Sequence, residues 1–250
     1  MNIFSVVYNN IFYKPLLNGL VFLINIIPFH DIGFAVILLT IVVRFILFPF
    51  SHRSIITQQK IKKIEPEINK IKSQFKDNSQ EQSKKTMELY KQHGINPFSG
   101  CLTLILQLPV IFALYKVFTI GMKNFNQENL YYFISSPEIV NMNFLGLIDM
   151  SKSNYVLAFL AGASQFFQIK LSVPPIKKDK ANSGSLKDNF ARNMNIQMRY
   201  IMPVIVFFIA LKFSSAIALY WTTMNVFAII HETIVRKKAQ KIYEQPDRNN

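Results

Sequence analysis

Arg44 stands inside the apolar run "LLTIVVRFILFPF" (38–50), four residues after Thr40, so that a guanidinium and a hydroxyl share one helical face. On insertion scales an arginine at the centre of a spanning helix costs about 2.5–3.5 kcal/mol, and such a charge is rare unless it has work to do. Comparable polar residues recur in the other apolar stretches: Thr103 and Gln107, then Ser164, Gln165 and Gln168, then Ser214, Trp221 and Asn225. Their spacing allots one polar face to each helix, and polar faces at similar depth meet one another. No acidic residue lies in these stretches except Glu232, close to the end of the last. Arg44 therefore needs water, or a carboxylate carried by another molecule, which argues for a wet cavity at membrane depth. Taken singly, these residues have structural readings too: snorkelling for the arginine and ordinary helix-to-helix bonding for the amides.

Other chemistry is absent from the motifs. There is no phosphate-binding glycine loop, no HExxH and no cysteine–histidine cluster, and nothing here drives ATP hydrolysis. The "HE" of His231 and Glu232 lacks the second histidine of a zinc site and reads as a solvated helix end. Cys101 is the only cysteine, which excludes an intramolecular disulfide. No enzyme class and no cofactor follow from these residues.

The elements that must position the polar residues are apolar helices. Half of the 250 residues are hydrophobic, and five stretches approach the roughly 20 residues that cross a hydrocarbon core of about 30 Å: Ile32–Phe50, Phe98–Ile120, Tyr155–Leu171, Tyr200–Phe213 and Ser215–Val235. The net charge of +14 would suggest nucleic acid in a soluble protein. Here most of the 28 basic residues fall in three segments, from Arg53 to Lys91, from Lys170 to Arg199, and from Arg236 to Arg248. That asymmetry is an orientation signal, with the N-terminus outside and the C-terminus in the cytoplasm, and leaves no direct nucleic-acid function. Residues 1–31 interleave Phe12, Tyr13, Phe22 and Phe29 with polar groups, as an interfacial helix does, with an uncleaved extra span as the rival reading. Between the first two spans Ile61, Ile64, Ile68, Ile71 and Phe75 recur at steps of three and four, the seam of a helix. A turn capped by Asn78 or Ser79 leads to a return helix marked by Met87, Leu89 and Tyr90, which makes a weakly packed helical hairpin. The segment "VPPIKKDKANSGSLKDN" reads as disordered.

Four stretches in this order resemble the YidC/Oxa family of membrane protein insertases: "DIGFAVILLTIVVRFILFPF", "IEPEINKIKSQFKDN", "HGINPFSGCLTLILQLPVIFALYKVF" and "ALYWTTMNVFAIIHETIV". The chain is similar to short bacterial members without the large periplasmic domain. The resemblance implies an all-α polytopic membrane protein with five transmembrane helices around a hydrophilic groove open to the cytoplasm, a cytoplasmic helical hairpin and an N-terminal interfacial helix. The corresponding parts are 1–31, 32–52, 53–96, 97–235 for helices two to five, and a basic tail at 236–250. The expected groove residues are Arg44, Gln168 and Trp221 by resemblance, joined by Thr40, Gln107, Gln165 and Asn225 from the polar faces. The expected location is the bacterial cytoplasmic membrane. Expected partners are newly made membrane proteins and the lipid bilayer, with the ribosome and the Sec translocon as further candidates. Where family members often have a proline and a glycine before "LYW", this chain has Ser214 and Ala216. A client helix would slide into lipid along the third and fifth spans, past Phe166, Phe167, Val226 and Phe227. A small anion transporter and a non-translocating assembly factor are the competing classes, although no inverted repeat is visible.

Overall fold

A break in the first apolar run sets the shape of the molecule. In the computed structural model, which describes residues 3–76, 78–96, 99–121, 129–172 and 196–244, α3 (Ile32–Ile46) ends at Leu47 and α4 (Phe48–Lys63) leaves at 65°. Pro49 has no N–H to give Phe45 and its ring crowds the preceding turn, so the helix cannot run straight through. The run read as one span, Ile32–Phe50, is thus divided, and its last residues belong to a helix that turns back over the bundle. Ahead of it, α1 (Ile3–Tyr8) passes through a π turn (Asn9–Tyr13) into α2 (Lys14–Ile26), which buries Leu17, Leu20, Val21 and Ile24 and exposes Phe22 and Ile26.

The hairpin follows the expected seam with one change. Pro66 starts a new helix, α5 (Glu65–Gln74), and the joint at Ile64 is itself buried. Asn78 caps α6 (Ser79–Gln92) by accepting from the Glu81 amide at 3.1 Å, as its sequence position predicts. Four side chains, Ile64, Ile68, Leu89 and Ile95, make the hairpin core, with Ile61, Ile71 and Tyr90 against it, whereas Met87 is exposed. Each buried aliphatic contributes about 1.5–3 kcal/mol, while ordering each residue costs about 1–2 kcal/mol. The hairpin therefore depends on its base, where α4 packs against α7 (Ser99–Lys116) and α10 (Ser215–Glu244).

The helices α3, α8 (Tyr155–Ser172) and α10 run parallel: Gln165 meets Trp221 and Asn225, Ser172 meets Glu232, and the Phe45 ring lies 5.4 Å from Phe227. Against them α7 and α9 (Met202–Lys212) run antiparallel, for Gln107 meets Tyr220 while Tyr115 meets Phe213, and Tyr200 meets Phe166 while Phe207 meets Gly162. One strap, residues 129–154, ties the starts of all three parallel helices. It contains a two-stranded hairpin, β1 (Asn143–Phe144) with β2 (Ile148–Asp149), turned by Leu145 and Gly146 at positive φ. Asp31 caps α3 through the Gly33 amide at 2.7 Å and holds the Leu145 amide at 3.0 Å. Asn154 caps α8, and the Ser215 amide and hydroxyl both donate to the Lys152 carbonyl at 2.7 Å. That double bond, with Phe213 in extended backbone, makes the bend between α9 and α10 without a proline or glycine. The Ser151 hydroxyl, then Lys152 and the Ser151 amide, hold the Asp149 carboxyl down at about 2, so this brace loosens only when the pH falls toward that value. Asn18 joins α2 to the same strap, accepting from the Tyr131 amide at 2.7 Å and donating to the Asn129 carbonyl.

Apolar side chains face outward on every one of these helices: Phe34, Leu38 and Phe45 on α3, Phe112 on α7, Phe159 and Phe167 on α8, Phe208 on α9, and Val226, Ile230 and Ile234 at steps of four on α10. Surfaces of this kind do not suit water. Among the described residues no single helix is long and apolar enough to cross a membrane; only α3 and α4 taken together are, with their 65° bend. The loop read as disordered lies outside the described residues, as do the end of the basic tail and the side chains of Cys101 and Thr103.

Gly33 gives the strap its seat, because a Cβ there would lie 2.1 Å from the Phe144 ring. Gly33→Ala is expected to cost about 1–3 kcal/mol as an overpacked contact, read as a lower unfolding temperature in detergent. Phe144→Ala added to it should recover part of the loss. An unchanged midpoint for Gly33→Ala would mean that the strap does not bear on α3.

Candidate functional site

The polar residues of α8 and α10 fall on facing stripes, because both helices place positions three, four and seven apart on one side. Gln165 Oε1 accepts from Trp221 Nε1 at 2.8 Å and from Asn225 Nδ2 at 3.2 Å, and Asn225 also donates to Ser164 Oγ at 3.1 Å. From Gln165 the chain of bonds descends through Gln168 to Ser172, whose hydroxyl donates to Glu232. Glu232 then pairs with Arg236 one turn on, at 3.1 Å. Asn225 and Glu232 are each 2% exposed, while Gln165, Gln168 and Trp221 are half-buried. A ladder of this kind pairs most of its buried polar groups with one another, which is the condition for keeping them in an apolar body, and leaves Arg236 Nε at its foot without a partner.

A second polar group occupies a neighbouring face of α10. Tyr220 precedes Trp221 by about 100° of helix rotation and accepts from Gln107 of α7. One turn on, the Met224 carbonyl accepts from Arg44 Nη2 at 3.3 Å, while Arg44 Nε is buried without a partner. No ion pair joins Arg44 to a carboxylate among the described residues. Thr40, 2% exposed, spends its hydroxyl on the Val36 carbonyl at 2.6 Å, inside its own helix. The seven expected residues are thus held in two sets: Gln165, Gln168, Trp221 and Asn225 between α8 and α10, and Arg44 and Gln107 on the α3 and α7 side of α10, with Thr40 one turn above Arg44.

Sequence reasoning missed the lower end. His231 and Glu232, read as a solvated helix end, are buried at 7% and 2% exposure. The cause is the break at Leu47, which lays α4 across α10, so that Phe48 and His52 stack on His231 and the two imidazoles meet at 3.2 Å. The spacing of Trp221, Asn225 and Glu232 along one stripe, with Arg236 four residues after the carboxylate, was the signal available in the sequence. Among the described residues no group of three or more His, Cys, Asp or Glu is placed to hold a metal ion.

A mostly helical body with apolar stripes outside and hydrogen-bonded polar seams inside suits a membrane protein. The chain belongs to the 60Kd inner membrane protein family, whose sequence model matches residues 23–242. It is similar to the membrane protein insertase YidC of Clostridium tetani, 32% identical over 86% of this chain and 86% of that relative. The YidC insertase of Fusobacterium nucleatum is 29% identical over 90% of this chain and 97% of its own length. The Wolinella succinogenes insertase is 34% identical over 82% of this chain, which spans only 33% of that longer relative.

Trp221 is the only tryptophan, so its fluorescence reports the ladder. Gln165→Leu removes the acceptor of both the indole and the Asn225 amide and is expected to cost about 1–3 kcal/mol, with a blue-shifted emission maximum. An emission spectrum identical to wild type would show that Trp221 does not rely on Gln165.

Proposed function

We propose that this chain inserts membrane proteins by lending a client's polar tail a positively charged, hydrated path partway through the bilayer. On this reading the five helical stretches span the cytoplasmic membrane with the N-terminus outside and the C-terminus inside, and Arg44, Thr40, Gln107, Gln165, Gln168, Trp221 and Asn225 line a groove open to the cytoplasm. The observation that carries it is Arg44: a half-buried guanidinium with one weak backbone bond, an unpartnered Nε and no carboxylate, inside a body whose outer surface is apolar. Such a charge is under-compensated, and an acidic tail supplies what it lacks. Membership of the family and relatives named insertases support the same reading.

The tail of a client with one or two spans has to pass about 30 Å of hydrocarbon. A wet cation part of the way across shortens that path, and the client's own apolar helix moves into lipid. The outward stripes of α8 and α10, with Phe167 and Val226 exposed, suit that contact; the seam between these helices is closed by the ladder. No nucleotide chemistry is invoked, since partition of the client helix into lipid supplies the driving force. The hairpin, tied to the bundle at its base and lightly packed at its tip, suits recruitment of clients or of a ribosome at the cytoplasmic side.

The test is insertion of a single-span client with an acidic tail into proteoliposomes holding the purified chain, scored by protease protection. Arg44→Ala is expected to slow insertion roughly tenfold, the effect of losing about 1.4 kcal/mol, and Arg44→Lys to retain most of it. Equal rates for Ala and wild type would remove the electrostatic role, and anion flux without insertion would favour a transporter.

A further inference from the structure

Below the ladder, three charged side chains from two helices crowd the cytoplasmic end of the bundle, and their charges do not cancel. Glu232, almost fully buried, pairs with Arg236 and accepts from Ser172. Lys62, at the end of α4, donates to the carbonyl of Leu171, the residue before Ser172, at 3.1 Å. Burial, and then Arg236, push the Lys62 amine below its ordinary value, with Glu232 and Glu65 pulling it back less strongly. Two half-buried cations thus share one inner carboxylate, and Glu65 is the other acid that acts on Lys62. Donors are left over as well: Arg236 Nε is buried without a partner, and so is the amide nitrogen of Gln59, three residues before Lys62 on the same helix. Unspent donors beside excess positive charge describe a place for an oxyanion.

We propose that Lys62 and Arg236 form a second carboxylate-binding station, which takes the acidic tail of a client at the cytoplasmic mouth before it reaches Arg44. This rests on the insertase reading above and names a further part of its substrate path. The ladder supports it by continuity: Ser172, Gln168, Gln165 and Asn225 lead stepwise from Glu232 to the residue after Met224, which holds Arg44. Arg236 stands 12 residues beyond Met224, about 18 Å along the helix axis. An extended tail of about six residues covers that distance, so acidic groups spaced along a short tail engage both stations. Each station is partly compensated by its own neighbours, which favours passage from one to the next over capture.

The test compares two clients that differ only in the tail, acidic residues in one and their amides in the other, with proteoliposomes of the full chain carrying Lys62→Gln or Lys62→Arg. Arg236 is left intact because its loss would strand Glu232. Lys62→Gln is expected to slow the acidic client about fivefold, the scale of a partly exposed charge pair, with Lys62→Arg near wild type and the neutral client unaffected. Lys63→Cys, in a chain with Cys101→Ser, should form a disulfide with a cysteine beside the tail acids, and Lys62→Gln should weaken that cross-link. Unchanged rates for the acidic client in Lys62→Gln, or a cross-link indifferent to tail charge, would overturn the station. A Lys62 effect that follows the anionic lipid content of the vesicles and not the tail would overturn it too, in favour of a lipid headgroup. The cross-link reads the tail whether or not insertion completes. Loss of insertion by the wild-type chain therefore counts against the insertase reading, and loss of the cross-link against the station.

Discussion

An apolar exterior obliges every interior polar group to find its partner within the protein, and the arrangement of this bundle follows from that obligation. Outward stripes of Phe, Leu, Val and Ile leave the helix interfaces as the only home for Gln107, Gln165, Asn225 and Glu232. Hydrogen bonds in such surroundings are strong, and a missing partner is correspondingly costly. The result is a pair of seams on either side of α10. One is linked side chain to side chain from Trp221 down to Arg236, whose Nε is left without a partner. The other contains Arg44, whose single backbone acceptor leaves most of its hydrogen-bonding capacity unused.

The seam of linked polar groups needs α8 and α10 in one register, and register is set at the strap end. The strap at 129–154 caps or anchors the starts of α3, α8 and α10 with Asp31, Asn154 and the paired bonds to Lys152. Three parallel helices fixed at one end leave the opposite end for movement. There α4 crosses α10 through the His52, His231 and Phe48 stack, and Lys62 reaches the end of α8. The molecule is thus braced at the strap end and jointed at the other, an asymmetry that suits a protein proposed to receive clients at one face of the membrane.

Local signals were legible in proportion to how local their physics is. The Asn78 cap and the isoleucine seam of the hairpin follow from neighbours in the chain and stand where spacing predicts. The bend between α9 and α10 was not legible, because Ser215 draws its support from Lys152, 63 residues away. The burial of His231 and Glu232 was hidden for the same reason: it depends on α4 folding back after Pro49. Proline marked the break at Leu47, but its angle is a property of the helices that pack on either side of it.

By itself the sequence determined a mostly helical chain, the apolar stretches, the hairpin and its cap, the odd arginine, and the family, since these rest on composition, periodicity and motif order along the chain. Only the tertiary structure decided which polar residues share a seam. It divided the expected set between two faces of α10, spent Thr40 on its own helix, and joined Ser172, Glu232, Arg236 and Lys62 below the ladder. The reason is geometric. A helical period says which residues of one helix lie together, whereas the partner of each is chosen by the rotation and register of a neighbour, and these are set by contacts between residues far apart in the chain.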